Sequence, residues 1–366
     1  MNIIFIYYEK IDMNKKELII EIKKLYPYYK NLQKMRVAEL KEIYEKDCNN
    51  FSLKNEKNSC YMDALFVALF HDKNKYIHNL FFNSDLKTFK NEKLNTIASG
   101  IKKELENIYT GLFNATSKKN LTCSNLRKLF HNFFKINYPN RQIEWKRDQL
   151  EPLDVISILD DIIVFKKNTK INSKIYGTNK KSKSIVLSKL KMISDKNTTA
   201  NNFSSVISID SLLSNDKIYL KKLYPKLIND VIFDEENLWK PYSKNSKEVY
   251  TRKIEKISYL SSKLLFITVN RIFKMGSQES EKLESQIIPA LKLKLKENAD
   301  NLYLKSIIVH HGFAGGGHYT TLFNCKGKWY EYDDMKSSID LIGDFEDMCE
   351  HNNNYYLKNC TNIIYY

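Results

Sequence analysis

An α+β fold is predicted for this chain, and three observations carry that prediction. Helical periodicity dominates residues 13 to 165, strand-like runs dominate from residue 204 onward, and the tract between them, about 166 to 205, is polar and poor in large apolar residues. Helices and strands are therefore segregated along the chain instead of alternating. With 366 residues and no internal repeat, the chain can bury a full core as one large domain or two ordinary ones.

Residues 13 to 46 read as two short amphipathic helices, MNKKELIIEIKKLY and NLQKMRVAELKEIYEK. They are broken around Pro27, with Met35, Val37, Leu40 and Ile43 near one face. The pair weakly resembles helix-extension-helix modules of the SAP and Rho-N type, some of which bind nucleic acid; the alternative is an arm that packs or docks a partner. The run CYMDALFVALF within 58–72 is apolar on most faces and predicts a buried helix headed by Cys60. Further helices are expected at 93–110, 122–135 and 152–165. The polar tract predicts exposed hairpins or partial disorder, an insertion outside the core. Strands are expected at SSVISI (204–209), KLLFITVNRIF (263–273), SIIVHH (306–311), HYTTLF (318–323) and KWYEYD (328–333).

Composition narrows the partners. Lys+Arg 59 against Asp+Glu 43 gives a net charge of +16, which admits nucleic acid or an acidic membrane surface. The excess is spread over a chain saturated with Lys, Asn, Ile and Tyr, a bias of the kind seen in AT-rich microbes and large DNA viruses and not a concentrated patch. The six cysteines contain no C-x-x-C pair, and a chain of this length needs no disulfide staples, so an intracellular, reducing compartment is expected, the cytoplasm or else a host cytoplasm or virion. The opening MNIIFIYYEK lacks a basic region ahead of its apolar run and fails as a secretory signal, and no run is long enough to span a bilayer. A soluble monomer without a membrane partner is the expectation.

Cys60 is the first candidate for chemistry. A thiol is a poor nucleophile at its free pKa of about 8.5, and a helix N-terminus beside a histidine lowers that value by stabilising the thiolate. Cys60 alone also fits a buried, inert cysteine. The histidine is sought in HHGFAGGGHYTTLFNCKGKWYEYDD, residues 310 to 334, which holds five of the ten glycines. Glycines ahead of a strand permit a mobile loop and close backbone approach. His318 then opens a strand, and a hairpin turn around Gly327 returns the chain to Asp333, which would bring its carboxylate beside the imidazole as the orienter of a general base. His318 by itself also fits a capping or core histidine.

LKNEKNSCYMDALFVALF (53–70) resembles the cysteine box of the ubiquitin-specific protease family of deubiquitinases, and GGGHYTTLFNCKGKWYEYDD (315–334) resembles its histidine box. Between them and in the family's order, QLEPLDVISILDD (149–161) is similar to the Gln-Gln-Asp-x-x-Glu-Phe helix and KLLFITVNRIF to the strand ending in an Arg-Phe pair. The resemblance spans roughly residues 50 to 366. It implies a helical extension at 1–47 and a papain-like catalytic domain at 48–366, with a helical thumb (48–165), reduced fingers (166–250) and a palm sheet (251–366). It further implies Cys60 as nucleophile, His318 as general base, Asp333 as its orienter with Asp334 as helper, and Asn55 as a donor to the oxyanion; Asn58 shapes the turn into the helix. Glu151 and Asp154 would read the basic, diglycine-ending tail of ubiquitin, while Gly316, Gly317 and Tyr319 would lie along it.

Two departures from the family pattern matter. The fingers insertion has no cysteine, so a structural zinc is not expected and no cofactor is required. The boxes also lose the usual Ser and Gln after the cysteine and carry Leu150 and Glu151 in place of Gln-Asp, which bears on which modifier is recognised more than on the chemistry. The alternatives to hydrolysis of the bond after the modifier's C-terminal glycine are a catalytically weak ubiquitin-binding protein and a nucleic-acid-binding protein using the basic surface and N-terminal arm.

Overall fold

The structure is a computed structural model. It describes residues 14–25, 32–46, 48, 53–72, 74–112, 121–139, 145, 148, 150–164, 169–178, 191–198, 204–207, 216–221, 232–239, 249–259, 264–273, 280–294 and 301–366. Helices α1 (Lys15–Leu25) and α2 (Val37–Lys46), joined through a 3₁₀ turn at Leu32–Lys34, close on a small core of Leu18, Ile22, Leu32 and Leu40. Met35 packs against this core, Val37 is exposed instead of joining the apolar face, and the Ile43 side chain lies outside the described residues.

Five helices follow: α3 (Cys60–Phe70), α4 (Lys75–Phe82), α5 (Glu92–Leu112), α6 (Ser124–Asn137) and α7 (Pro152–Ile162). All eleven residues of α3 are buried, as its run of apolar side chains on every face demands. The unpredicted α4 is short and starts on Asn74, whose side chain accepts from the Tyr76 and Ile77 N–H groups.

The strands are β1 (Thr169–Thr178), β2 (Lys191–Thr198), β3 (Ser204–Ile207), β4 (Lys217–Tyr219), β5 (Ile232–Trp239), β6 (Val249–Tyr259), β7 (Leu265–Val269) and β8 (Ile272–Phe273). After them come β9 (Glu281–Lys282), β10 (Gln286–Ile288), β11 (Lys292–Lys294), β12 (Asn301–Phe313), β13 (Gly316–Cys325), β14 (Lys328–Tyr332), β15 (Asp340–Gly343), the helix α8 (Phe345–Asn359) and β16 (Cys360–Tyr365). The polar tract forms the hairpin β1–β2, which joins β6 and β5 in a sheet ordered β2-β1-β6-β5. The main sheet runs β15-β14-β13-β12-β16-β7-β3, with β11 added to β12.

Side chains of the main sheet alternate between two cores. Ile364 and Tyr366 face the helical layer around α3, while Ile363 and Tyr365 face the opposite core that α8 covers with Met348 and Tyr356. Hydroxyls sew the sheet to the buried helix: Thr321 donates to the Ala64 carbonyl at 2.6 Å and Ser306 to that of Ala68 at 2.8 Å. α8 and β16 were not expected from the sequence, yet β16 is the strand between β12 and β7. The expectation of wholly unpaired cysteines is corrected as well, because Cys48 and Cys325 form a disulfide with Cα atoms 5.8 Å apart, a pairing across 277 residues that no local spacing announces. No described helix is long and apolar enough to cross a membrane.

Candidate active site

Cys60 is placed by the turn before it. Lys57 and Asn58 adopt left-handed backbone (φ 52° and 63°), a conformation Asn tolerates better than most residues and that matches the turn-shaping part expected of Asn58. The buried Arg127 of α6 holds this turn, donating to the carbonyls of Glu56 at 2.9 Å and Lys57 at 2.5 Å, and to that of Trp145 at 3.0 Å. Ser59 accepts from the Glu56 N–H at 2.9 Å. The chain then enters α3 with Cys60 as its first residue.

The Cys60 thiol is buried, and the expected lowering of its pKa does not occur: burial is the largest influence and pushes it up to about 11, aided by the charges of Asp334 and Asp63 and opposed by backbone hydrogen bonds from Tyr319 and Tyr61. Desolvation outweighs the helix start in this state. The Tyr319 contact nonetheless sets the thiol against the residue that follows His318 on β13.

His318 and Asp333 meet as the hairpin spacing requires, since β13 and β14 pair with Thr321 opposite Tyr332. Nε2 of His318 lies 2.7 Å from Oδ1 of Asp333 and 3.6 Å from Oδ1 of Asp334. Burial raises the Asp333 carboxyl, but the Met335 N–H and the His318 contact outweigh it and hold the group below its ordinary value. Asp334 turns inward, its side chain 1% exposed, and accepts from Nδ2 of Asn55 at 3.0 Å. Two residues before Asp334, the Tyr332 hydroxyl accepts from the Leu53 N–H at 3.0 Å and donates to the Leu53 carbonyl at 2.8 Å, tying the segment that carries Asn55 to the strand that leads into the two aspartates.

Beside this cluster, a narrow cleft runs between α7 and the sheet, lined among others by Glu151, Arg271, Lys282, His310 and Tyr319. Glu151 caps α7, and Oδ2 of Asp154 accepts the Glu151 N–H at 2.9 Å in a capping box. Glu151 is solvent-accessible in a crowded setting; desolvation first, and the charge of Asp154 second, raise its carboxyl. Arg271 spends its guanidinium on the carbonyls of Cys360, Leu283, Ser285 and Leu357, a clamp between strands.

The glycine-rich stretch departs from the mobile loop expected of it. Gly316 and Gly317 are strand residues, paired with Phe313 and Gly312 across a tight hairpin. Glycine is needed at 317 for close approach: a Cβ there would fall against the His311 carbonyl oxygen and 2.5 Å from Nε2 of His310. Lys282 reinforces this end of the sheet by donating to the carbonyls of His310 at 2.5 Å and Gly312 at 3.0 Å.

The structure thus gathers Cys60, His318, Asp333, Asp334 and Asn55 at one end of α3, and sets Glu151 and Tyr319 along the adjoining cleft, with Asp154 behind Glu151 in the capping box. Three residues not singled out from sequence complete the surroundings: Asp63, Arg127 and Tyr332. Asp63 had a readable signal, being the single acid in an otherwise apolar buried helix; Arg127 and Tyr332 had none. Among the described residues, His318 with Asp333 and Asp334 is the one grouping with the residue types of a cation site; in it His318 bonds Asp333, and Oδ2 of Asp334 accepts from Asn55. A thiol, an imidazole–carboxylate pair and an amide donor are the parts that nucleophilic acyl transfer needs.

A family model described as ubiquitin carboxyl-terminal hydrolase matches residues 51–342. Among solved structures, the SAGA DUB module of Ubp8, Sgf11, Sus1 and Sgf73 bound to monoubiquitin is similar in fold, with a TM-score of 0.51 at 15% sequence identity over 86% of this chain and 68% of that chain. No curated protein matches the chain.

Proposed function

Since the chain belongs to the ubiquitin carboxyl-terminal hydrolase family, we propose that it is a thiol-dependent deubiquitinase that cleaves the bond after the C-terminal glycine of ubiquitin or a relative. The observation that carries the reading is the 2.7 Å contact of His318 with Asp333 on the strand whose next residue, Tyr319, bonds the Cys60 thiol through its backbone. His318 removes the Cys60 proton as sulfur attacks the glycine carbonyl carbon. The oxyanion that forms accepts from the Asn55 amide, and collapse of the tetrahedral species breaks the C–N bond while the imidazolium gives its proton to the departing lysine amine. Water, deprotonated by His318, then hydrolyses the thioester and restores the thiol. Asp333 keeps the imidazole oriented throughout.

Glu151 supplies negative charge to the basic tail of the modifier, which runs through the cleft over Tyr319 and past Gly316 and Gly317, with Asp154 in support. The chain divides into the extension 1–47 and the catalytic unit 48–366, in which 48–165 is the thumb, 166–250 the fingers and 251–366 the palm. It works in an intracellular compartment, whose reducing poise can open the Cys48–Cys325 disulfide to two thiols. The test is reaction with ubiquitin bearing a C-terminal electrophile. One covalent adduct at Cys60, absent in Cys60→Ala, is expected; an unmodified native chain would refute the reading.

A further inference from the structure

Asp63 stands one turn beyond Cys60 in the wholly buried α3, and no solvent reaches it. Its Oδ2 accepts from the Ser59 hydroxyl at 2.5 Å, and its carboxyl group lies within hydrogen-bonding distance of that of Asp334. Asp334 is itself turned inward and receives the Asn55 amide. Oδ1 of Asp63 and Oδ1 of Asp334 are both buried and find no N–H or hydroxyl donor. The titratable groups that act on the pair include the thiols of Cys60 and Cys123, the latter within hydrogen-bonding reach of Asp63, the Tyr332 phenol, His318 and Asp333; the buried Arg127, which acts on Cys123, donates to the carbonyls of Glu56, Lys57 and Trp145.

Two ionised carboxylates in contact in such a place would repel each other and leave buried oxygens without donors, each a cost that native interiors avoid. A single proton between them removes the repulsion and satisfies both oxygens, the arrangement that paired aspartates adopt when they cannot both ionise.

We propose that Asp63 is held as a neutral carboxylic acid whose O–H donates to Asp334, and that this bond positions Asp334 as the acceptor that aims the Asn55 amide beside Cys60. Asp334 accepts the Asn55 N–H and lies 3.6 Å from the His318 imidazole, contacts that favour its ionised form, whereas the fully buried Asp63 accepts the neutral Ser59 hydroxyl; the proton therefore sits on Asp63. Asp63 is a positioning residue, acting through Asp334 and Asn55. The kinetic arm of its test rests on the hydrolase reading above; the spectroscopic arm does not.

The full chain carrying ¹³C-carboxyl aspartate and ¹⁵N asparagine is compared by NMR with Asp63→Asn and Asp63→Leu, and each is assayed on ubiquitin with a C-terminal fluorogenic amide. The Asp63 carboxyl signal, identified by its loss in Asp63→Asn, should show the shift of a protonated acid at neutral pH. Leucine keeps the branched shape of aspartate, somewhat larger and without donor or acceptor, so Asp63→Leu should displace the Asn55 side-chain resonance and lower kcat by roughly 10²-fold at nearly constant KM. Asparagine can donate to Asp334 and accept from Ser59, so Asp63→Asn should restore the Asn55 resonance and recover kcat to within roughly tenfold. An ionised Asp63 at neutral pH overturns the proposal. So does a folded Asp63→Leu chain with native kcat and a native Asn55 resonance, or an Asp63→Asn chain as impaired as the leucine variant. If the leucine variant does not fold, the carboxyl shift and the asparagine variant decide. A native chain inert toward the ubiquitin substrate refutes the hydrolase reading, and the two resonances still decide this one.

Discussion

Removing the Tyr332 hydroxyl isolates the tether between the Asn55 segment and the aspartate strand. Tyr332 and Leu53 are each 2% exposed, and the hydroxyl serves both the N–H and the carbonyl of Leu53, at 3.0 and 2.8 Å. Tyr332→Phe keeps the ring and its packing, so no cavity beyond one oxygen is left and the loss is confined to two hydrogen bonds. A buried donor left unsatisfied costs about 1–3 kcal/mol and a carbonyl with a second lone pair somewhat less, giving about 2–4 kcal/mol for the pair. At about 1.4 kcal/mol per tenfold, the Leu53 amide should exchange with solvent roughly 30- to 10³-fold faster, measured by hydrogen exchange under native conditions. Because Asn55 lies two residues beyond the released backbone, kcat on a fluorogenic ubiquitin should fall with little change in KM. Leu53 exchange within threefold of the native rate would show that the tether is replaced by another group and that the reasoning fails.

Four further outcomes are expected. With its thiol pushed up to about 11, about one Cys60 in 10⁴ is ionised at neutral pH, so alkylation of the free chain by iodoacetamide should climb through the alkaline range; an inflection near neutrality would contradict burial as the dominant influence. Gly317→Ala, forced against His310 and the His311 carbonyl, should destabilise the chain by about 1–3 kcal/mol in urea unfolding, and an unchanged midpoint would refute the close approach. Glu151→Gln should raise KM for ubiquitin roughly tenfold and leave a short Gly-Gly peptide unaffected, as loss of a charge-assisted contact requires. In the native chain that KM should climb on acidification sooner than for an ordinary glutamate, because a raised carboxyl is neutralised at higher pH; equal effects on both substrates would restrict Glu151 to capping. Reduction of Cys48–Cys325 opens a loop of 277 residues and should lower the unfolding free energy by up to about 5 kcal/mol in chain-entropy terms, seen as a lower urea midpoint, with Cys48→Ser insensitive to reductant; identical midpoints would show that the bridge constrains little.

What the amino-acid order determined by itself is the chemistry that depends on neighbours close in the chain. An apolar run headed by a cysteine makes a buried helix with Cys60 at its start, and two β-prone runs around Gly327 pair so that Asp333 returns to His318. Such features follow from periodicity and turn geometry within some twenty residues. Only the tertiary structure decided the rest. The division of labour between Asp333, which touches the imidazole, and Asp334, which turns inward to Asn55 and Asp63, depends on which oxygen a distant segment meets. The protonation of Cys60 is set by burial under β13, which overrides the helix start that sequence reasoning relied on. Arg127 reaches the turn before Cys60 from a helix more than sixty residues on, Cys48 finds Cys325 across almost the whole chain, and β16 enters the middle of the sheet from its last residues. Long-range contacts leave no periodic mark in the sequence, because desolvation and pairing between remote segments exist only once the two cores have closed around them.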